Sequence, residues 1–290
     1  EIGSGLVGSE MCIRDSNFQS KQDSELPGGG RLSDRFRPHE GKQVMAGYGV
    51  FAQVYDKLTL NVPYDQIAEY YDAKIRKFRD GDGNFLADAG CGTGNLTARL
   101  ARLGYDVIGA EPSPDMLSEA MNKPHDGVQY ICQDMTELDL YGEADIIVST
   151  LDSVNHLSSA ADIKKFFRAA ALNLRRGGLL LFDFNTIYKH EKVLADNVFV
   201  YDLDDVYCVW QNEFNPEDKG VDISLNIFAE AEDGLYERME ENFREITMPS
   251  EQVEKLLSES GFEVLEVREY LTNREPGAQS DKLMFCARKK

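Results

Sequence analysis

Residues 85–97 read FLADAGCGTGNLT, a short apolar run that ends on Asp88 and then turns through Gly90, Gly92 and Gly94 into a helix-forming segment. Glycine takes positive φ freely and lets the backbone approach a ligand with no Cβ in between. A strand, a glycine turn and a helix in that order fit few architectures, chief among them a sheet covered by helices. A dinucleotide-binding turn is spaced G-x-G-x-x-G, whereas this one is spaced G-x-G-x-G with Asn95 after the third glycine. Asp88 points the same way. A carboxylate repels a pyrophosphate but attracts the ammonium of an amino acid, whose own carboxylate can rest on the N–H groups that open the helix.

Ahead of the turn, residues 48–79 carry apolar side chains at helical spacing, broken at Val62-Pro63, which predicts two short helices. Beyond it the pattern predicts helices over 94–103, 114–121 and 160–174, and strands over 106–110, 128–132, 144–150 and 179–184. Such alternation predicts an α/β, Rossmann-like sheet of seven strands, mostly parallel, with its ligand at the carboxyl ends of the first four. Residues 197–248 change to β-rich runs separated by Asp218-Lys219-Gly220 and Glu232-Asp233-Gly234, the pattern of an antiparallel β insertion after strand five. A helix over 250–260, stopped by Gly261, and strands over 262–269 and 282–288 complete the main sheet, the last of them antiparallel. The expected domain spans 45–290. Residues 1–44 are rich in glycine, serine and charge without periodicity and are expected to be disordered. Their opening, EIGSGLVGSEMCIRDS, resembles translated adapter sequence, so the leader is expected to be non-native and Met45 the natural start.

Two further acids follow at telling places. Glu111 ends the second strand, 23 residues after Asp88, where a carboxylate can accept both hydroxyls of a ribose; Pro112 follows it, and Met116 offers an apolar surface for an adenine. The third strand runs into Gln133-Asp134-Met135, which sets Asp134 where an adenine amino group can donate to it. Asp145, just before the fourth strand, reads as a solvated turn acid.

Composition narrows the partners. With 51 Asp and Glu against 31 Lys and Arg, the net charge of -20 repels a phosphate backbone or an anionic membrane at long range. No apolar run approaches the roughly 18 residues of a membrane span, and the chain reads as soluble and cytoplasmic. The five cysteines and four histidines show no metal-ligand spacing, so no metal is expected.

Taken as a set, Asp88 to Gly94, Glu111, Asp134 and the STLDSVNHL stretch at 149–157 resemble the class I S-adenosylmethionine-dependent methyltransferases, over about residues 45–290. The Tyr55-Asp56 pair on a leading helix and the β insertion are similar to the small-molecule branch that contains sugar-amine N-methyltransferases. The resemblance implies S-adenosylmethionine as cofactor, held by Asp88, Gly90, Cys91, Gly92 and Gly94, by Glu111, Pro112 and Met116, by Gln133, Asp134 and Met135, and by Thr150. Tyr55 closes over it, and His156 lies near the acceptor. The acceptor is a small molecule methylated on nitrogen or oxygen, with neither nucleic acid nor membrane as partner and the chain a monomer or homodimer. A hydroxyl acceptor needs a base, with His156 the first choice and Asp152 the second; a neutral amine needs none. Tyr201, Tyr207 and Trp210 read first as packing and second as acceptor-pocket walls.

Two rival readings stand beside this one. A non-catalytic S-adenosylmethionine-binding regulatory protein would share the fold, because a fold alone does not prove chemistry. An apolar plug around His156 and Asn155, in place of a polar pocket, would mark it. A nicotinamide-dependent oxidoreductase is hinted at by the Tyr188-x-x-x-Lys192 pair, and the glycine spacing opposes it.

Overall fold

The computed structural model describes residues 48–124, 127–231 and 234–290; the expected disordered leader over 1–44 and the expected start at Met45 lie outside them. Helices α1 (Tyr48–Leu58) and α2 (Tyr64–Phe78) lead into β1 (Phe85–Ala89), α3 (Asn95–Arg102), β2 (Asp106–Ala110), α4 (Pro114–Asn122), β3 (Gln129–Ile131) and β4 (Ala144–Ser149). After these come α5 (Ala160–Asn173), β5 (Leu174–Asn185), β6 (Val198–Asp202), β7 (Val206–Phe214), β8 (Val221–Glu230) and β9 (Tyr236–Glu245). The chain closes with α6 (Ser250–Glu259), β10 (Phe262–Glu269) and β11 (Lys282–Lys289). The main sheet has seven strands in the order β10-β11-β5-β4-β1-β2-β3, and β6 to β9 form a separate four-stranded sheet. Parallel pairing joins β1, β2, β3, β4 and β5, while β11 runs antiparallel to both of its neighbours.

Helices cover both faces of the main sheet, so its central strands are apolar on both sides. Ile147, Leu180, Phe182 and Phe285 face α5 and α6, whose Phe166, Phe167 and Leu257 are buried against them. Leu86, Ile146, Leu181 and Met284 face α2 and α3 through Ile67, Tyr71 and Leu100. A third core lies elsewhere: α1 packs Phe51, Val54 and Leu58 against Trp210, Ile223 and Leu225 of the small sheet and against Met116 of α4. Helix α1 therefore spans the gap between the small sheet and the end of the main one.

Side-chain caps open two of the helices. Ser113 caps α4 by accepting from the Met116 N–H, and Ser159 caps α5 by accepting from the Asp162 N–H. Strand β5 starts at Leu174, five residues ahead of the position the sequence predicts, because its pairing with β4 slips between Ala144 and Ile146 and absorbs the Arg175–Gly178 stretch that reads as a turn. Asp145 is no free turn acid: it accepts from the Phe85 N–H and pairs with Arg175 at 2.6 Å. A short π-helical turn, Lys189–Leu194, follows β5 and has no counterpart in the apolar periodicity.

Gly92 and Gly94 both have positive φ, +53 and +73, but differ in surroundings. A Cβ on Gly92 meets nothing within 4 Å, whereas one on Gly94 runs into the Tyr130 hydroxyl. Gly94→Ala should therefore lose about 1–3 kcal/mol from backbone strain and further stability from the clash, while Gly92→Ala loses the strain alone. Urea unfolding of the two variants checks this, and equal losses would contradict it.

Candidate active site

The carboxyl ends of β1, β2 and β4 meet where the strand order reverses, and a cavity of about 410 Å³ opens there, within the roughly 300–1,000 Å³ usual for small-molecule sites. Asp88, on β1, is 1% exposed. Its Oδ2 accepts from the Thr97 hydroxyl at 2.7 Å, and its Oδ1 is buried with no protein partner. Burial pushes its carboxyl up to about 6 against the opposing Thr97 hydrogen bond, with Glu111 adding to the rise. Glu111, at the end of β2, accepts from the Gly92 N–H and from the Ser113 N–H, both at 3.1 Å, one on each oxygen. Burial also raises its carboxyl, against those two hydrogen bonds. The glycine turn is braced from outside by Asp56 of α1, whose carboxylate accepts from Thr93 at 2.6 Å and Asn95 at 2.8 Å and pairs with Lys123 at 2.5 Å.

A second chamber, about 80 Å³, lies beside this cavity under α1 and shares several of its lining residues; it is walled by Phe51, Tyr55, Trp210 and Phe243, with Asp152, His156, Lys189 and Glu245 on its polar side. Asp152 and Leu151 leave β4 in a left-handed turn, at φ +55 and +57. Asp183 of β5 holds that turn, its two oxygens accepting from the Leu151 N–H at 2.8 Å and the Asp152 N–H at 2.7 Å. The Asp152 carboxylate then sits 3.1 Å from Asn185 Nδ2, 3.6 Å from Lys282 and 3.8 Å from Lys189. Burial acts to raise its pKa, but Lys282, Lys189 and His156 hold it well below the usual carboxylate range. His156 is half-exposed, its Nε2 3.9 Å from Asp152 and its ring 5.1 Å from that of Phe243.

Most residues singled out in the sequence come together around these two spaces. Tyr55, Asp88, Gly90, Cys91, Gly92 and Glu111 border the main cavity, as do Pro112, Met116, Asp134, Met135 and Thr150, with Asp152 and His156 at its inner end. Gly94 and Gln133 do not border it. Gly94 packs against Tyr130, and the Gln133 amide is turned to the backbone of Asp139. Asn155 is wholly buried, bonded to the backbone of Asn185 and Ile246, so it braces the loop and does not face an acceptor. Trp210 borders the inner chamber, while Tyr207 lies exposed on the outer face of the small sheet. Sequence spacing showed no metal-ligand set, yet the fold brings Asp152, His156 and Glu245 to within 4.8 Å of one another. Lys189 and Lys282 already bring to Asp152 the positive charge that a cation would supply. Asp183, Asn185, Lys189 and Lys282 escaped the sequence reading. The only trace of the first two is the polar alternation of FDFN at the end of an apolar strand.

A model of the family described as "Methyltransferase domain" matches residues 86–178. The Bacillus subtilis (strain 168) protein named "Putative methyltransferase YqeM" is 33% identical over 245 residues, covering 83% of this chain and 97% of its own. The crystal structure of a S-adenosylmethionine-dependent methyltransferase from Clostridium acetobutylicum ATCC 824 matches with 30% identity and a TM-score of 0.73, over 83% of this chain and 98% of that one. The chain belongs to the S-adenosylmethionine-dependent methyltransferases. The sugar N-methyltransferase KedS8 from Streptoalloteichus sp ATCC 53650, at 19% identity, a TM-score of 0.67 and coverage of 94% of this chain and 100% of that one, shares the fold.

The cavity of this methyltransferase suits its cofactor. Asp88 Oδ1 is an orphaned buried acceptor beside the glycine turn, and the α-carbon of Gly92 faces open space. Each Glu111 oxygen has spent one lone pair on the backbone and retains another. Asp88 should thus hold the cofactor's ammonium only when ionised. Protonation below about 6 removes that partner, so affinity for S-adenosylhomocysteine should fall, by up to tenfold per pH unit, as pH drops from 6 to 5. The stability of the ligand-free protein runs the other way. The folded-state pKa lies above the unfolded value of about 3.9, so the folded chain binds the extra proton and unfolding becomes easier as pH rises from about 4 to 6. Calorimetric titration across this range should give a shallower pH dependence in Asp88→Asn, and an unchanged slope would place the ammonium elsewhere.

Proposed function

We propose that this methyltransferase modifies the nitrogen or oxygen of a small-molecule acceptor that enters the chamber beneath α1, and that it works in the cytoplasm without nucleic acid as substrate. The observation that carries this reading is the wall that the two spaces share, formed by Phe51, Tyr55, Asp152, His156 and Phe243. The cavity bordered by Asp88 and Glu111 thus adjoins a small chamber with aromatic walls and a polar inner side.

S-adenosylmethionine supplies a methyl group made transferable by its positively charged sulfur, which becomes a neutral thioether. The residues around it align the acceptor and exclude water, the main requirements for such a displacement. Tyr55 and Phe51 of α1 border both spaces and close them from solvent. Asp88, Glu111, Met116 and Asp134 hold the cofactor's ammonium, ribose and adenine. For a hydroxyl acceptor, His156 takes the proton and Asp152, 3.9 Å from its Nε2, stabilises the imidazolium that results. For a neutral amine, the same pair orients the nitrogen without removing a proton before attack.

The test is transfer of label from methyl-labelled cofactor into a mixture of extracted metabolites, with nucleic acid and protein fractions counted in parallel. Label should appear in low-molecular-mass compounds alone. With the compound so identified, His156→Asn should lower turnover by about 10²- to 10⁴-fold if oxygen is methylated, and should mainly raise KM if nitrogen is. Label confined to the macromolecular fractions would overturn the proposal.

A further inference from the structure

The inner face of the small sheet is apolar on β7 and β8, where Val206, Cys208, Trp210, Ile223, Leu225 and Ile227 are buried. Edge strand β9 breaks the pattern. Its alternate residues Glu241, Phe243 and Glu245 point the same way, and Glu241 lies opposite Leu225 in the ladder. Glu241 borders the main cavity, Glu245 borders the inner chamber, and Phe243 borders both.

Glu245 has partners: Asn185 Nδ2 donates to its Oε2 at 2.7 Å, and His190 Nε2 is 3.3 Å away. Glu241 is different. It is 8% exposed, its Oε1 is fully buried with no partner, and burial pushes its carboxyl up, while Arg244 on the same cavity is engaged by Asp218 and Asp222. An unpaired buried carboxylate is costly, and nothing in the packing of the small sheet requires one at this position. Placed among apolar neighbours on the wall of a ligand cavity, it is an acceptor and a negative charge held ready for a cationic donor.

We infer that Glu241, with Phe243 beside it, is the recognition site for a positively charged amino group that the methyl acceptor carries apart from the atom that is methylated, and that an acceptor seated in the inner chamber extends past Phe243 into the main cavity. This rests on the reading of the cleft as an acceptor site and narrows the acceptor to compounds that bear such an amino group. The rest of the wall agrees. Aromatic faces from Phe51, Tyr55 and Phe243 attract cations as well as apolar groups. Of the charged groups that border the main cavity, Asp88, Glu111, Asp134, Asp152 and Glu241 are acidic and stand against Arg244, with His156 beside Asp152. A neutral alcohol would leave Glu241 uncompensated.

The test uses the full chain saturated with S-adenosylhomocysteine and two probes of one shape, benzylamine and benzyl alcohol, with binding followed by ligand-observed NMR. Wild-type protein should bind benzylamine at least tenfold more tightly than benzyl alcohol. Glu241→Gln should bring the two within about threefold and leave the S-adenosylhomocysteine affinity within twofold. Removing an unpaired buried charge should also raise the Tm of the ligand-free variant, whereas a merely structural carboxylate would lower it. Equal affinities in the wild type, or no binding of benzylamine, would overturn the inference. So would a Glu241→Gln variant whose cofactor affinity falls while its preference for the amine persists, since that assigns the carboxylate to the cofactor. Retained S-adenosylhomocysteine binding in every arm keeps the cofactor site separate from this outcome.

Discussion

Asp183 is wholly buried on β5 and accepts N–H bonds from Leu151 and Asp152, two non-glycine residues held in the left-handed region. Each such residue costs on the order of 1–3 kcal/mol and persists only where its surroundings fix it. The same carboxylate accepts from the Tyr71 hydroxyl of α2 at 3.1 Å and lies 3.4 Å from the Lys282 ammonium of β11. One side chain thereby joins the exit of β4, the helix beneath the sheet and the antiparallel strand. The strained turn is what carries Asp152 and His156 to the wall shared by the two cavities, so the geometry of the inner chamber depends on it.

The cofactor side is built independently, from the first two strands. Glu111 accepts the Gly92 N–H and so fixes the glycine turn from the ligand side, while Asp56 bonds Thr93 and Asn95 from the solvent side. Because Asp56 belongs to α1, the helix that covers the inner chamber is tied to the glycine turn that borders the main cavity. The small sheet supplies the remaining wall through β9, and its core with α1 keeps that wall in place. The two cavities thus share α1 while resting on different strands.

The strand, turn and helix at 85–97 and the acids at the ends of β1 and β2 were legible because their meaning is local. Positive φ at Gly90, Gly92 and Gly94 and carboxylates at strand ends follow from spacing alone. The seven-stranded sheet followed from the alternation of its elements. The Gln133 amide bonds the Asp139 backbone and lies off the cavity, a contact that no periodicity reports. The bracing role of Asn155 was illegible for a similar reason: its neighbours in space, Asn185 and Ile246, lie 30 and 91 positions away. Asp183, Lys189, Lys282 and Glu241 stayed hidden because their significance depends on burial and on partners from distant strands. In sequence, each is one more charge in an acidic chain.

The most direct test of this division is the structure of the Asp183→Asn variant with S-adenosylhomocysteine, together with its affinity for that ligand. An asparagine carbonyl can accept only one side of the pair, and its amide opposes the other N–H. The Leu151-Asp152 turn should relax out of the left-handed region and carry the Asp152 carboxylate away from Asn185, while ligand affinity stays within about threefold of wild type. An unchanged turn, or a loss of cofactor affinity in step with its displacement, would contradict the account.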